Sequence, residues 1–228
     1  MPKNLLTILS RALSMALHPL ILPLYLVAML FTQTSFSLFS TNVKWYLGGS
    51  VALYGTLIPM VAVGVLYKVG WLKDLGMHDR KARILPLLIG AIAYMICALV
   101  VAKVPQAVFL RKFMVAAVLC ELYCMVISTE WKVSLHLTAM GAAVALLFVL
   151  NSLGLTQLFP WLLWTIAAAG LLGTARLYLG YHTPLQLLVG FAGGALLTWI
   201  ALFWLESFDT LYNNRGLHSE ASIVLSCV

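Results

Sequence analysis

Apolar residues along the chain gather into seven runs, at about 12–31, 46–67, 84–102, 113–129, 133–150, 158–175 and 183–205. Each is close to the roughly 20 residues a helix needs to cross a hydrocarbon core about 30 Å thick. The charges fall between them: of the 21 Asp, Glu, Lys and Arg residues, only Glu121 lies inside a run. A charge at mid-bilayer costs about 2.5–3.5 kcal/mol or more, so this placement is what a bilayer imposes. The pattern predicts an all-α, polytopic membrane helix bundle. The fifth run is short and carries His136 near its start, which leaves six to seven spans.

Composition points the same way. Apolar residues make up 63% of the 228 and charged residues 9%, against about 45–50% and about 25% in soluble domains. Too few charges remain to cover a soluble surface, which excludes an ordinary cytosolic enzyme, a disordered chain and a disulfide scaffold. Lys3 and Arg11 precede the first run as in a signal peptide. That run is as long as a span and lacks a clean small-x-small cleavage site, so it reads as a retained helix. His18, Pro19 and Pro23 interrupt it, predicting a kink or a short interfacial lead-in helix. Trp45, Trp71, Trp131 and Trp161 stand near run ends, where an aromatic belt would put them. The chain divides into N-terminal membrane helices (1–70), a membrane core (71–205) and a polar tail (206–228).

The net charge of +7 has no aromatic interleaving of the kind that binds nucleic acid. Basic loops beside spans set topology or attract anionic membrane lipids. Cys97, Cys120 and Cys124 lie within runs, where a thiol behaves as a small hydrophobe.

Reactive side chains concentrate in three loops. The first runs from Lys73 through His78, Asp79, Arg80, Lys81 and Arg83 to Pro86; the second from Ser128 through Glu130, Lys132 and Ser134 to His136; the third from Thr174 through Arg176, Tyr181 and His182 to Gln186. Two spans separate each from the next, and an even number of crossings returns the chain to the same side. All three loops are therefore expected on one membrane face. The loops at 32–45, 103–112 and 151–157 fall on the other and contain no histidine.

Arginine forks match phosphate oxygens two at a time, and lysine adds a point charge. A neutral histidine can attack phosphorus or carry a proton near neutral pH. Several cations beside a Ser-x-His and an Arg-x5-His, with few carboxylates, point to an anionic phosphate site with two histidines in different roles. A metal site would need more carboxylates or a tighter His/Cys grouping.

In this order the loops resemble the signatures of the type 2 phosphatidic acid phosphatase superfamily, which includes vanadium haloperoxidases. Its pattern is Lys-x6-Arg-Pro, then Pro-Ser-Gly-His, then Ser-Arg-x5-His-x3-Asp. Here Lys73-x6-Arg80 is followed by Lys81 in place of proline, with Arg83 and Pro86 as an alternative alignment. Val133-Ser134-Leu135-His136 keeps Ser and His but lacks Pro and Gly. Ala175-Arg176-x5-His182-x3-Gln186 keeps Arg and His at the family spacing, with Gln where the family has Asp. The resemblance covers roughly 73–190.

The resemblance implies a metal-independent phosphatase without a cofactor, acting on a lipid phosphate or diphosphate through a phosphohistidine. His182 would attack phosphorus and His136 would protonate the leaving oxygen. Arg176, Ser134, Lys73 and Arg80 or Arg83 would hold the phosphate, and Gln186 would stand in for the aspartate that orients the nucleophile. Phosphatidic acid, phosphatidylglycerol phosphate, a polyprenyl diphosphate and phosphorylated lipid A are the family's candidate substrates. A degenerate relative that binds or moves lipid phosphates without hydrolysis is the alternative, and an unrelated transporter with a basic vestibule is a third.

Plainer explanations exist for several of these residues. Thr183-Pro184-Leu185-Gln186 reads as a helix start with a capping box, so Gln186 either caps or orients His182, two uses that compete for one amide. His136 can be an interfacial histidine capping the fifth segment, and Arg80, Lys81 and Arg83 a topology signal. Glu121 is set outside the site, and Gly190, Gly193 and Gly194 are read as allowing close helix packing. Nine basic residues lie on the site side and five on the other. Removing the six candidate phosphate ligands leaves three against five, so charge does not orient the protein. The resemblance implies a bacterial inner (plasma) membrane with the site facing outward.

Overall fold

The computed structural model describes residues 4–72 and 80–213, and every element of regular structure in them is helical. Two short helices, α1 (Leu5–Ala16) and α2 (Leu22–Gln33), lead into α3 (Thr41–Ser50) and α4 (Ile58–Lys68). The last two are joined by a π-helical stretch, Val51–Leu57, into one rod, Thr41–Lys68. The widened turn ends just before Pro59, whose ring would clash with the carbonyl four residues back in a regular helix. Then follow α5 (Ile84–Val101), α6 (Val108–Glu130), α7 (Leu135–Ser152), α8 (Phe159–Tyr178) and α9 (Pro184–Asn213).

Five segments are long and apolar enough to cross a membrane: Thr41–Lys68, Lys81–Val101, Leu135–Ser152, Thr156–Tyr178 and Pro184–Phe203. Leu53, Leu57, Met60, Val61 and Val65 on the first, and Leu163, Trp164, Ile166 and Leu171 on the fourth, point outward and exposed. So broad an apolar exterior fits lipid, not water. The fourth run forms α6, whose 23 residues are also long enough but include Arg111, Lys112, Glu121 and Glu130. Its Lys112 is 1% exposed and donates to the Leu202 carbonyl oxygen at 3.3 Å.

The first run is not one continuous span. The interruption expected at His18 and Pro19 is a break at Leu17–Ile21, leaving two helices of 12 residues each. At 1.5 Å per residue each is about 18 Å long, short of the hydrocarbon thickness. The break lies at His18-Pro19, because the residue before a proline is steered away from helical geometry. The helix α1 then lies against α8, turning Ser14 inward while Leu5, Leu6, Ile8, Leu9 and Met15 face outward.

The fifth run, doubtful for its shortness, becomes the most enclosed of the five crossing segments, with 61% of its apolar window buried. Its helix α7 makes the most extensive contact of the bundle, with α9, and α5 and α9 flank α6. Small residues allow it. A Cβ added at Gly141 would run into the Phe191 carbonyl, and one at Gly194 into the Thr138 carbonyl. At Gly193 a Cβ would strike the Tyr123 ring, whose hydroxyl donates to the Val189 carbonyl at 3.0 Å.

Substituting Gly141 or Gly194 by alanine is expected to force α7 and α9 apart and cost about 1–3 kcal/mol. A lowered thermal midpoint in detergent would register this. Gly170→Ala on α8, where a Cβ meets nothing within 4 Å, is expected to leave the midpoint unchanged.

Candidate functional site

One cavity of about 430 Å³ opens where the second and third loops and the end of the first meet the break between α1 and α2. Arg83, Lys132, His136, Arg176 and His182 all line it, joined by Arg11, Ser14 and His18 from the N-terminal helices. The expected convergence of the loops is thus seen for the residues that can be described. Lys73, His78 and Asp79 lie outside the described residues.

The third loop is built by local chemistry. Gly180 ends α8 with φ +67°, the left-handed conformation that glycine reaches without penalty. The Tyr181 amide then bonds back to the Arg176 carbonyl at 3.2 Å and the Gly180 amide to that of Leu177 at 2.9 Å, a Schellman closure. This reversal brings Arg176, in the last turn of α8, and His182, ahead of α9, onto the same cavity. The next helix opens with a capping box. The Gln186 amide donates to Thr183 Oγ1 at 3.4 Å, and the Thr183 amide donates to Gln186 Oε1 at 3.1 Å.

That second bond also fixes the state of His182. A backbone N–H can only donate, so the atom facing Thr183 is the amide oxygen of Gln186. The same Oε1 stands 3.3 Å from His182 Nδ1, which must therefore carry the proton, leaving the lone pair of the neutral ring on Nε2. The capping and orienting uses of Gln186 do not compete, since one carbonyl oxygen with two lone pairs serves both.

His182 is 8% exposed. Burial first, and then the charges of Arg176, Arg83 and Lys132, push its pKa down to about 3, against a small opposing effect of Gln186. Near neutral pH the ring is therefore the neutral imidazole. The pKa of His18 is also lowered, by burial and then by Arg176.

Arg176 stacks its guanidinium over the Tyr181 ring at 4.6 Å, while its buried Nε–H has no hydrogen-bond partner. Buried donors are almost always satisfied, so this one is available to an incoming acceptor. Arg83 is 4% exposed and donates from Nη1 to the Val133 carbonyl at 3.0 Å. The adjacent Ser134 amide bonds to the Gln186 carbonyl at 3.4 Å, so the three loops are stitched together.

His136 stands at the first turn of α7 with Nε2 3.1 Å from the Ser14 carbonyl oxygen and its ring edge-on to His18, centroids 5.4 Å apart. A carbonyl only accepts, so Nε2 carries the proton and Nδ1 is the atom left for exchange.

Other expected ligands stand apart. Ser134 is wholly buried and caps α7, its Oγ accepting the Leu137 amide at 3.4 Å. Arg80, half-buried ahead of the turn Lys81–Arg83, does not line the cavity. Three contributors were not expected from the sequence. Arg11, Ser14 and His18 carry no motif, and only the Pro19 break hinted that the chain turns there. Glu121, set aside on sequence grounds, lines the cavity as well; its one signal was an ionisable group in mid-run. Among the described residues, no three His, Cys, Asp or Glu side chains come together as a metal could require.

No protein-family model, curated protein or solved structure matches the chain.

Between pH 6.5 and about 3 the unfolded chain takes up a proton at residue 182 that the folded chain refuses. Folded stability is therefore expected to fall as pH drops through that window. The thermal midpoint of His182→Asn should depend less steeply on pH there than that of the wild type; equal slopes would contradict the assignment.

Proposed function

We propose that this protein is a membrane lipid phosphatase that removes phosphate from a lipid phosphate or diphosphate through a phosphohistidine. The observation that carries the reading is His182. It is a neutral imidazole held through Nδ1 by Gln186, with its nucleophilic nitrogen free, beside an arginine with an unsatisfied N–H. This is the order of parts that the resemblance to the type 2 phosphatidic acid phosphatase superfamily implies.

The chemistry balances without further participants than water. His182 Nε2 attacks phosphorus as the bond to the lipid oxygen breaks, and that oxygen takes a proton from Nδ1 of the protonated His136. Arg176, Arg83 and Lys132 neutralise the charge on the transferring phosphoryl group. The incoming phosphate itself supplies the negative charge that favours a protonated His136. Water then attacks the phosphohistidine and returns a proton to His136, releasing phosphate and restoring His182. In this reading Arg80 acts at the rim, Lys73 keeps the phosphate-holding role that the resemblance implies, and Ser134 acts by fixing the start of α7. The lipid chain lies in the apolar part of the cavity. A crossing α6 would make six spans, and the setting is a bacterial inner (plasma) membrane with the site outward.

A second reading, a lipid-phosphate binder or transporter without hydrolysis, is favoured by one observation. Gln186 is neutral, so it orients His182 without stabilising a charged imidazole.

Release of phosphate from a panel of lipid phosphates by detergent-purified protein, with chelator present, separates the two. Release is expected from the wild type, none above background from His182→Ala, and about 10²–10³-fold less from Arg176→Ala. Gln186→Glu keeps the acceptor and adds a charge worth about 1–1.5 kcal/mol to the hydrogen bond, which is about tenfold in turnover. Lipid-phosphate binding without release from any member of the panel would favour the second reading.

A further inference from the structure

The cavity does not stop at the cations. It continues between α5, α6 and α7, where Gly90, Tyr94, Phe113, Ala142 and Glu121 line it. From Arg83 to Gly90 is seven residues of chain, mostly α5, and from His136 to Ala142 six residues of α7, so Glu121, which stands against Gly90, lies about 10 Å below the cation-lined mouth. Its walls are apolar apart from the Tyr94 ring hydroxyl, the Thr138 hydroxyl (which donates to the Ser134 carbonyl), the Cys120 and Cys124 thiols and one acid.

The acid is given its place by a glycine. A Cβ at Gly90 would lie 3.3 Å from Glu121 Cδ and 3.4 Å from Oε2, so the missing side chain makes room for the carboxyl group. No described residue hydrogen-bonds that carboxyl, and it faces the cavity. An unpartnered ionisable group in the middle of a helix bundle is costly to keep, and nothing in the packing of α5 on α6 requires it.

We propose that Glu121 reads a hydrogen-bonding group on the chain of the ligand. The preferred ligand is then a lipid phosphate that carries a hydroxyl, amide or ester oxygen about 10 Å from its phosphorus, not one with a bare hydrocarbon chain at that depth. A carboxylic acid both donates and accepts, so it suits any of the three. The inference rests on the lipid-phosphate reading of the cation cluster, which fixes the end of the ligand that lies at the mouth.

The test is binding by the full chain in detergent, measured by calorimetry. The probes are dodecyl phosphate and dodecyl phosphates bearing a single hydroxyl at successive chain positions. The wild type is expected to bind one positional isomer about fivefold to tenfold more tightly than plain dodecyl phosphate. Glu121→Gln should retain that preference, because the amide still donates and accepts. Glu121→Leu should abolish it and bind plain dodecyl phosphate at least as well. Equal affinity of the wild type for every isomer would overturn the proposal, as would a preference that survives in Glu121→Leu. Should the leucine variant not fold, Glu121→Ala carries the same expectation, loss of the isomer preference, and a preference that survives in it overturns the proposal. No turnover is needed, so the two readings fail separately. Isomer preference without phosphate release removes the phosphatase alone; release without isomer preference removes the Glu121 subsite alone.

Discussion

A guanidinium kept out of water organises this end of the bundle. Arg83 is almost fully buried, and a buried charge is tolerated only when acceptors surround it. One of them is the Val133 carbonyl, which ties the start of α5 to the strand-like residues before α7. The neighbouring Ser134 amide passes the connection to the Gln186 carbonyl, and the Gln186 side chain passes it to His182. Residues about a hundred positions apart are thereby held in one chain of hydrogen bonds. The bond at Val133 also fixes where the guanidinium sits, on the wall of the cavity that His182 lines.

The same burial that makes Arg83 expensive makes His182 useful. Burial of the ring, and then the charges of Arg176, Arg83 and Lys132 acting through a poorly screened interior, keep the imidazole neutral, with a lone pair on one nitrogen. The helix α1 contributes to that burial. Its polar side closes over the cavity through Ser14, and its apolar side faces outward, an arrangement suited to the edge of a bilayer. His136 is anchored to this helix rather than to its own loop, so His136 and His182 are positioned by different parts of the fold.

Much of this was legible in the sequence. Six of the seven apolar runs became helices at nearly their expected positions, because a bilayer leaves the chain few other ways to satisfy its backbone. The spacing from Arg176 to His182 to Gln186 was readable because a glycine-ended helix, a short turn and a capped helix leave little freedom. The interruption at His18 and Pro19 was also readable, because the residue before a proline is steered away from helical geometry. That it leaves two helices too short to span, with α1 laid against α8, was not, since that depends on packing. Ser134 was read as a phosphate ligand, and in the structure its Oγ caps α7, a use of Ser-x-His that the sequence pattern does not separate from the other. Glu121 was inaccessible to pattern alone. Which way it faces depends on Gly90 of the neighbouring helix, a tertiary fact.

The claim at the centre is a covalent bond between phosphorus and His182 Nε2, and the most direct measurement is to trap it. Detergent-purified protein would be mixed with a lipid phosphate labelled in its phosphoryl group, quenched in alkali within a turnover, and digested for peptide mapping. The expected result is acid-labile label on the peptide carrying His182. Label on another histidine, or continued phosphate release with no labelled peptide, would contradict it.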